Sequence, residues 1–109
     1  MYDILIIGSG PAGLSAAIYG KRALMSLAVI EKDFMGTGQI AVTERVENYP
    51  GLYGINGYDL GEKFRNHAET LGAEFLNAEV KEIRKDENSW TVNFTDGNST
   101  SAKAIIYAA

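Results

Sequence analysis

The chain has 109 residues, of which 46 % are hydrophobic and 22 % charged, and a formal net charge of −4. Such a composition supports one globular domain with a core of its own, and an acidic chain without a basic cluster is a poor partner for nucleic acid or an anionic membrane. There is no cysteine, which excludes disulfides, thiolate metal sites and a dithiol within these residues.

The opening, MYDILIIGSG, has no basic region before its apolar run and breaks at glycine, unlike a signal peptide. No apolar run approaches the ~20 residues of a membrane span, and a cytoplasmic protein is expected. Tyr2 to Ile7 reads as a strand buried on both faces, as in a parallel sheet. Pro11 to about Leu24 reads as a helix, with proline in the first turn, where its missing N–H costs nothing. Ala12, Ala16 and Ala17 are small enough to let it lie close on a sheet. Ser26 to Ile30 is a second apolar strand, closed by Glu31, which completes β-α-β in about thirty residues. Residues 33–56 lack periodicity. They hold Gly36-Thr37-Gly38-Gln39 and the stretch from Glu47 to Gly54, and an ordered, ligand-facing loop with a short helical turn is expected.

Tyr58 to Leu71 reads as an amphipathic helix with Leu60, Phe64, Ala68 and Leu71 as its apolar stripe, and Gly72 is placed to end it. A short strand follows. Val80–Arg84, Ser89–Thr95 and Thr100–Tyr107 then read as three strands joined by KDEN and TDGN turns. The alternation of Trp90, Val92 and Phe94 with polar residues predicts an antiparallel meander with one wet face.

The chemistry-bearing motif is Gly8-Ser9-Gly10-Pro11-Ala12-Gly13, which fits G-x-G-x-x-G. Gly8 allows the tight turn off the strand, Gly10 puts no side chain between backbone and pyrophosphate, and Gly13 lets helix and strand approach. The helix start then offers N–H groups and a positive dipole end to phosphate. Glu31, eighteen residues after Gly13, stands where an acid accepts hydrogen bonds from ribose hydroxyls, and it would repel a 2′-phosphate. The fingerprint alone does not separate FAD from NAD. His67 reads as a structural histidine with no triad partner. Trp90, Phe94 and Tyr107 read as core. The charged run from Glu79 to Glu87 reads as a solvated hairpin, and no His/Asp/Glu cluster suggests a metal.

GSGPAG followed by EK, GTGQ and TERVENYPG resembles the FAD domain of thioredoxin reductases and their relatives among the pyridine nucleotide-disulfide oxidoreductases, over almost the whole chain. The resemblance implies an α/β fold: a Rossmann-like parallel sheet with an antiparallel β-meander as crossover. It implies FAD as cofactor. The pyrophosphate would lie at Gly8, Ser9, Gly10, Pro11, Ala12 and Gly13, and the adenosine ribose at Glu31 with Lys32 beside it. Gly38, Gln39 and Thr43 would lie near the ribityl chain and flavin, Asn48 at the isoalloxazine edge, and the Val80 backbone at adenine.

Two departures stand out. Thr37 replaces a glycine of the family's GGQ, and where the family has an ATG turn whose backbone lies close to the cofactor the chain reads Tyr107-Ala108-Ala109, with Ala109 in the place of the threonine and Ala108 as the matching backbone position. The resemblance therefore implies a single, incomplete FAD-binding domain over residues 1–109, without the NADPH-binding domain, the Cys-x-x-Cys pair or the last FAD-domain segment. Binding without disulfide turnover is expected, with no catalytic residue in this chain. An apolar strand edge at Ala104–Tyr107 would favour a homo-oligomer. Two other readings remain open: a structural or assembly subunit that binds no cofactor, and a minimal NAD-binding oxidoreductase.

Overall fold

The structure, a computed structural model, describes residues 1–32 and 44–109. Its elements in chain order are β1 (Tyr2–Ile7), α1 (Pro11–Arg22), β2 (Leu27–Glu31), α2 (Gly57–Thr70), β3 (Glu74–Asn77), β4 (Val80–Lys85), β5 (Trp90–Phe94) and β6 (Ser99–Tyr107). They match the elements read from the sequence to within a few residues. The strands form one sheet in the order β3-β2-β1-β6-β5-β4. Strands β3, β2, β1 and β6 run parallel, while β4-β5-β6 is an antiparallel meander.

Strand β6 belongs to both parts. Ser99–Ala102 pair with β5, and Ala102–Tyr107 pair with β1. The meander thereby folds over one face of the parallel strands. Val92, Phe94 and Ala102 pack there on Leu5, Ile7, Ala28 and Ile30. The other face is covered by the helices, where Leu14, Ala17 and Ala68 pack on Ile6, Leu27 and Val29. Alternate residues of β1 and β2 thus enter two different cores, which is why these strands read as continuous apolar runs. Among the described residues, the large fully buried side chains are Leu5, Ile6, Leu14, Leu27, Val29, Leu60 and Val92. Each stabilises the fold by ~1.5–3 kcal/mol relative to leaving it in water.

Helix α1 lies close to the sheet through Gly13, Leu14, Ala17 and Gly20. Ala12 is exposed and takes no part in the contact expected of it. Gly20 does: a Cβ there would stand 2.5 Å from Leu27 Cδ2. Helix α2 starts at an Asn56 cap, whose Oδ1 accepts from the Asp59 N–H at 2.8 Å. It buries Leu60 and Ala68 and ends before Gly72 at φ +98°. Leu71, expected in its apolar stripe, is 37 % exposed and sits at the C-cap, past the last helical residue. Residues 44–56, the described part of the expected loop, form successive turns, closed by Val46 N–H to Ile55 C=O at 2.7 Å and Gly54 N–H to Val46 C=O at 2.8 Å. No helix among the described residues is long and apolar enough to cross a membrane.

Candidate functional site

The topology locates the site. From β1 the chain crosses through α1 to β2 on one side, whereas β6 flanks β1 on the other. In an open α/β sheet, ligands settle outside the carboxyl ends of the strands where the order reverses in this way. Here those ends are Gly8 after β1 and Ala108 after β6. Each is tied to the neighbouring strand: Gly8 N–H donates to Ile30 C=O of β2 at 3.0 Å, and Ala108 N–H donates to Ile7 C=O of β1 at 2.7 Å.

Gly8 has φ +112°, and a Cβ on it would lie 2.4 Å from the Ala108 carbonyl oxygen. Gly13 is equally constrained, since its Cβ would lie 2.0 Å from the Gly8 carbonyl oxygen. These two glycines bring the end of β1, the first turn of α1 and the end of β6 together without side chains between them. Gly10 is the N-cap of α1, with extended φ −73° and ψ −177°, no side-chain cap and Pro11 in the first turn. No acidic residue stands in that turn, and Lys21 and Arg22 stand in the last one. The positive end of the helix dipole at Gly10 thus has no acidic residue within its own first turn, and such an end favours an anion. Ser9, within the turn, is buried.

A cleft of about 450 Å³ opens beside this turn, lined by Ile7, Gly8, Ile30 and Lys32 on one side and by Ala78 to Ile83 with Tyr107 and Ala109 on the other. Its size is that of a small-molecule site. Lys32 Nζ pairs with Glu79 at 2.9 Å across one wall, with both side chains largely exposed. A surface pair of this kind adds at most ~1 kcal/mol. Tyr107, read from the sequence as core, is 71 % exposed and forms part of the lining. It has the strand parity of the half-buried Ile105, but it lies beyond the point where the meander covers the sheet. That position at a parallel strand's carboxyl end was the signal that could have marked it.

Glu31 is arranged differently from its neighbours. Its side chain is only 2 % exposed and does not line the cleft. Arg65 Nη1 donates to both carboxylate oxygens, to Oε1 at 2.7 Å, while Arg65 Nε donates to Glu69 Oε1 at 2.9 Å. The guanidinium also stacks over Phe75, 4.1 Å from the ring centroid. Burial alone would lower the pKa of Arg65, but the hydrogen bonds and charges of Glu31 and Glu69 outweigh it and raise the guanidinium above its ordinary value.

Of the residues singled out in the sequence, the structure gathers Gly8, Ser9, Gly10, Pro11, Gly13, Lys32, Val80 and Ala108 around the turn and its cleft. Ala12 is at the exposed start of α1. Asn48 is exposed on the 44–56 loop and does not line the cleft. Gly38, Gln39 and Thr43 lie outside the described residues. His67 is exposed on α2, and no group of acidic, histidine or cysteine side chains among the described residues could hold a metal.

A family model described as pyridine nucleotide-disulphide oxidoreductase matches residues 2–109. The chain belongs to this family. Among relatives of the pyridine nucleotide-disulphide oxidoreductase chain, the thioredoxin reductase of Bacillus subtilis is 43 % identical over 109 residues, covering 100 % of this chain and 34 % of its own length. The Mycoplasma pneumoniae thioredoxin reductase is 42 % identical over 108 residues, again covering 34 % of its own length. The crystal structure of the Streptococcus pyogenes thioredoxin reductase superimposes with a TM-score of 0.95 at 39 % identity, over 100 % of this chain and 35 % of that one. The Lactococcus lactis thioredoxin reductase superimposes equally well at 36 % identity. The chain thus spans about a third of the length of the relatives it matches. Its α/β architecture is the Rossmann-like fold of these oxidoreductases.

Proposed function

We propose that the chain binds FAD, taking the pyrophosphate at the Gly8–Gly13 turn and the adenosine in the adjoining cleft. The observation that carries this reading is the junction at Gly8. A Cβ there or at Gly13 would collide with backbone, and the bare N-terminus of α1 opens at the same point. A turn stripped of side chains beside a dipole end suits a diphosphate, and the cleft beside it is large enough for a nucleoside. Family membership favours FAD over NAD for the flanking groups.

Each residue then has a physical task. The first-turn N–H groups of α1 donate to phosphate oxygens. Val80 and its neighbours offer backbone at the adenine end, where Tyr107 adds an aromatic wall. Lys32 brings positive charge to the cleft. Bound FAD supplies two-electron redox chemistry of its own; the groups described in this chain bind and orient. With no cysteine among the 109 residues, the chain carries no dithiol, and binding without disulfide reduction is the activity proposed for it, in the cytoplasm.

We also propose self-association. The outer side of residues 103–107 in β6 has no paired strand among the described residues, and an apolar edge of this kind templates strand addition. Titration of the purified chain with FAD, followed by absorbance and calorimetry, tests the binding reading. Saturable uptake that Gly10→Val abolishes is expected, whereas a protein that takes up neither FAD nor ADP would support a structural subunit.

A further inference from the structure

The pairing of Glu31 with Arg65 carries an inference that rests on the binding reading above, joined to the general rule that the acid ending the second strand of a dinucleotide fold meets the adenosine ribose. Glu31 shares the strand parity of Leu27 and Val29 and so faces the helix layer, whereas Ile30 and Lys32 line the cleft. In this position its side chain is 2 % exposed. One guanidinium nitrogen, Arg65 Nη1, lies within hydrogen-bond distance of both carboxylate oxygens. It therefore occupies the carboxylate edge between the two oxygens, the edge that two vicinal hydroxyls would also use. Two such donors cannot hold it at once.

We propose that Arg65 competes with the adenosine ribose for Glu31 and so sets how strongly the site reads the ribose hydroxyls. Arg65 acts through Glu31 and is a positioning residue. It is held where it competes by the Glu69 carboxylate at 2.9 Å and by the Phe75 ring. Glu69 is half-exposed and gives the guanidinium an alternative partner, so Arg65 can release Glu31 without becoming an unpaired charge. With the pair closed, a ribose gains little from Glu31. With Arg65 removed, the carboxylate keeps no side-chain donor among the described residues and turns to the ligand's hydroxyls.

The test is calorimetric titration of the full chain with ADP and with 2′-deoxy-ADP, read as the ratio of the two dissociation constants. This ratio does not depend on the fraction of protein that is folded. The wild-type ratio is expected to stay within about threefold, because a hydrogen bond that Glu31 cannot make discriminates weakly. In Arg65→Gln it should rise to about tenfold or more, the worth of a hydrogen bond to a charged group. Glu31→Gln combined with Arg65→Gln should return it to the wild-type value. Should Arg65→Gln fail to fold, Arg65→Lys keeps a cation there without the planar fork, and an intermediate ratio is expected of it. A ratio unchanged by either Arg65 variant, or a wild-type ratio already near tenfold, would overturn the competition while leaving the site intact. If neither nucleotide binds the wild type, the site reading fails and this inference fails with it.

Discussion

At the level of single residues, Gly13 and Gly10 of the turn have separable roles. Gly13 is a packing requirement: its Cβ would stand 2.0 Å from a backbone oxygen, and helix and strand must move apart to admit one. Gly13→Ala should therefore cost about 2–4 kcal/mol and lower the melting temperature by roughly 10–20 °C. Gly10 sits in ordinary extended backbone that any residue adopts. Gly10→Val should cost only about 1 kcal/mol as a poorer cap, yet place a branched side chain where a diphosphate would approach. Thermal melts and FAD titration on both variants separate the roles. A Gly10→Val protein with wild-type affinity would remove the turn from the site. The glycine motif was legible because its six residues are consecutive. The Glu31–Arg65 pair was not, because its partners lie 34 residues apart and meet only once α2 has docked over β3. Tyr107 departs from the expected core position for a related reason: its hydrophobicity is local, but whether the meander reaches far enough to cover it is a property of the sheet.

Among the elements, strand and helix identities were readable from period, caps and turn residues, and the departures fall at their ends. Helix α1 closes with Leu24 N–H to Lys21 C=O and Met25 N–H to Gly20 C=O, the pattern that usually ends in glycine. Leu24 occupies that place at φ 62° while 90 % exposed. The left-handed conformation costs leucine about 1–2 kcal/mol, and glycine gives back about 0.4–1 kcal/mol through its freer unfolded state. Leu24→Gly should then stabilise the chain by about 0.5–1 kcal/mol, seen as a melting point a few degrees higher; a lower one would mean that Leu24 makes contacts its exposure does not suggest. Strand β6 raises the second question at this scale. Its Lys103, a charge that could guard the edge, is drawn to Asp3 at 3.4 Å, and Ala104–Tyr107 follow without another. Sedimentation equilibrium at tens of micromolar should find a dimer, and a sharp monomer would refute pairing through this edge.

At the scale of the whole molecule, one topological fact organises the rest. Strand β6 leaves the meander and enters the parallel sheet beside β1, so the ends of β1 and β6, the start of α1 and the β3–β4 corner converge on one rim. The cradle and the cleft are consequences of that convergence. The sequence announced the cradle through its glycines, whereas the cleft came from the meander folding over the sheet, which no local pattern encodes. On the proposed reading, this rim binds FAD through backbone and dipole. The most direct measurement is equilibrium titration of the purified 109-residue chain with FAD, in parallel with Gly10→Val, with the fold of each checked by circular dichroism. The account predicts saturable, one-to-one binding by the wild type and none by the folded variant. A folded wild-type chain that leaves FAD unbound at every concentration tested would contradict it.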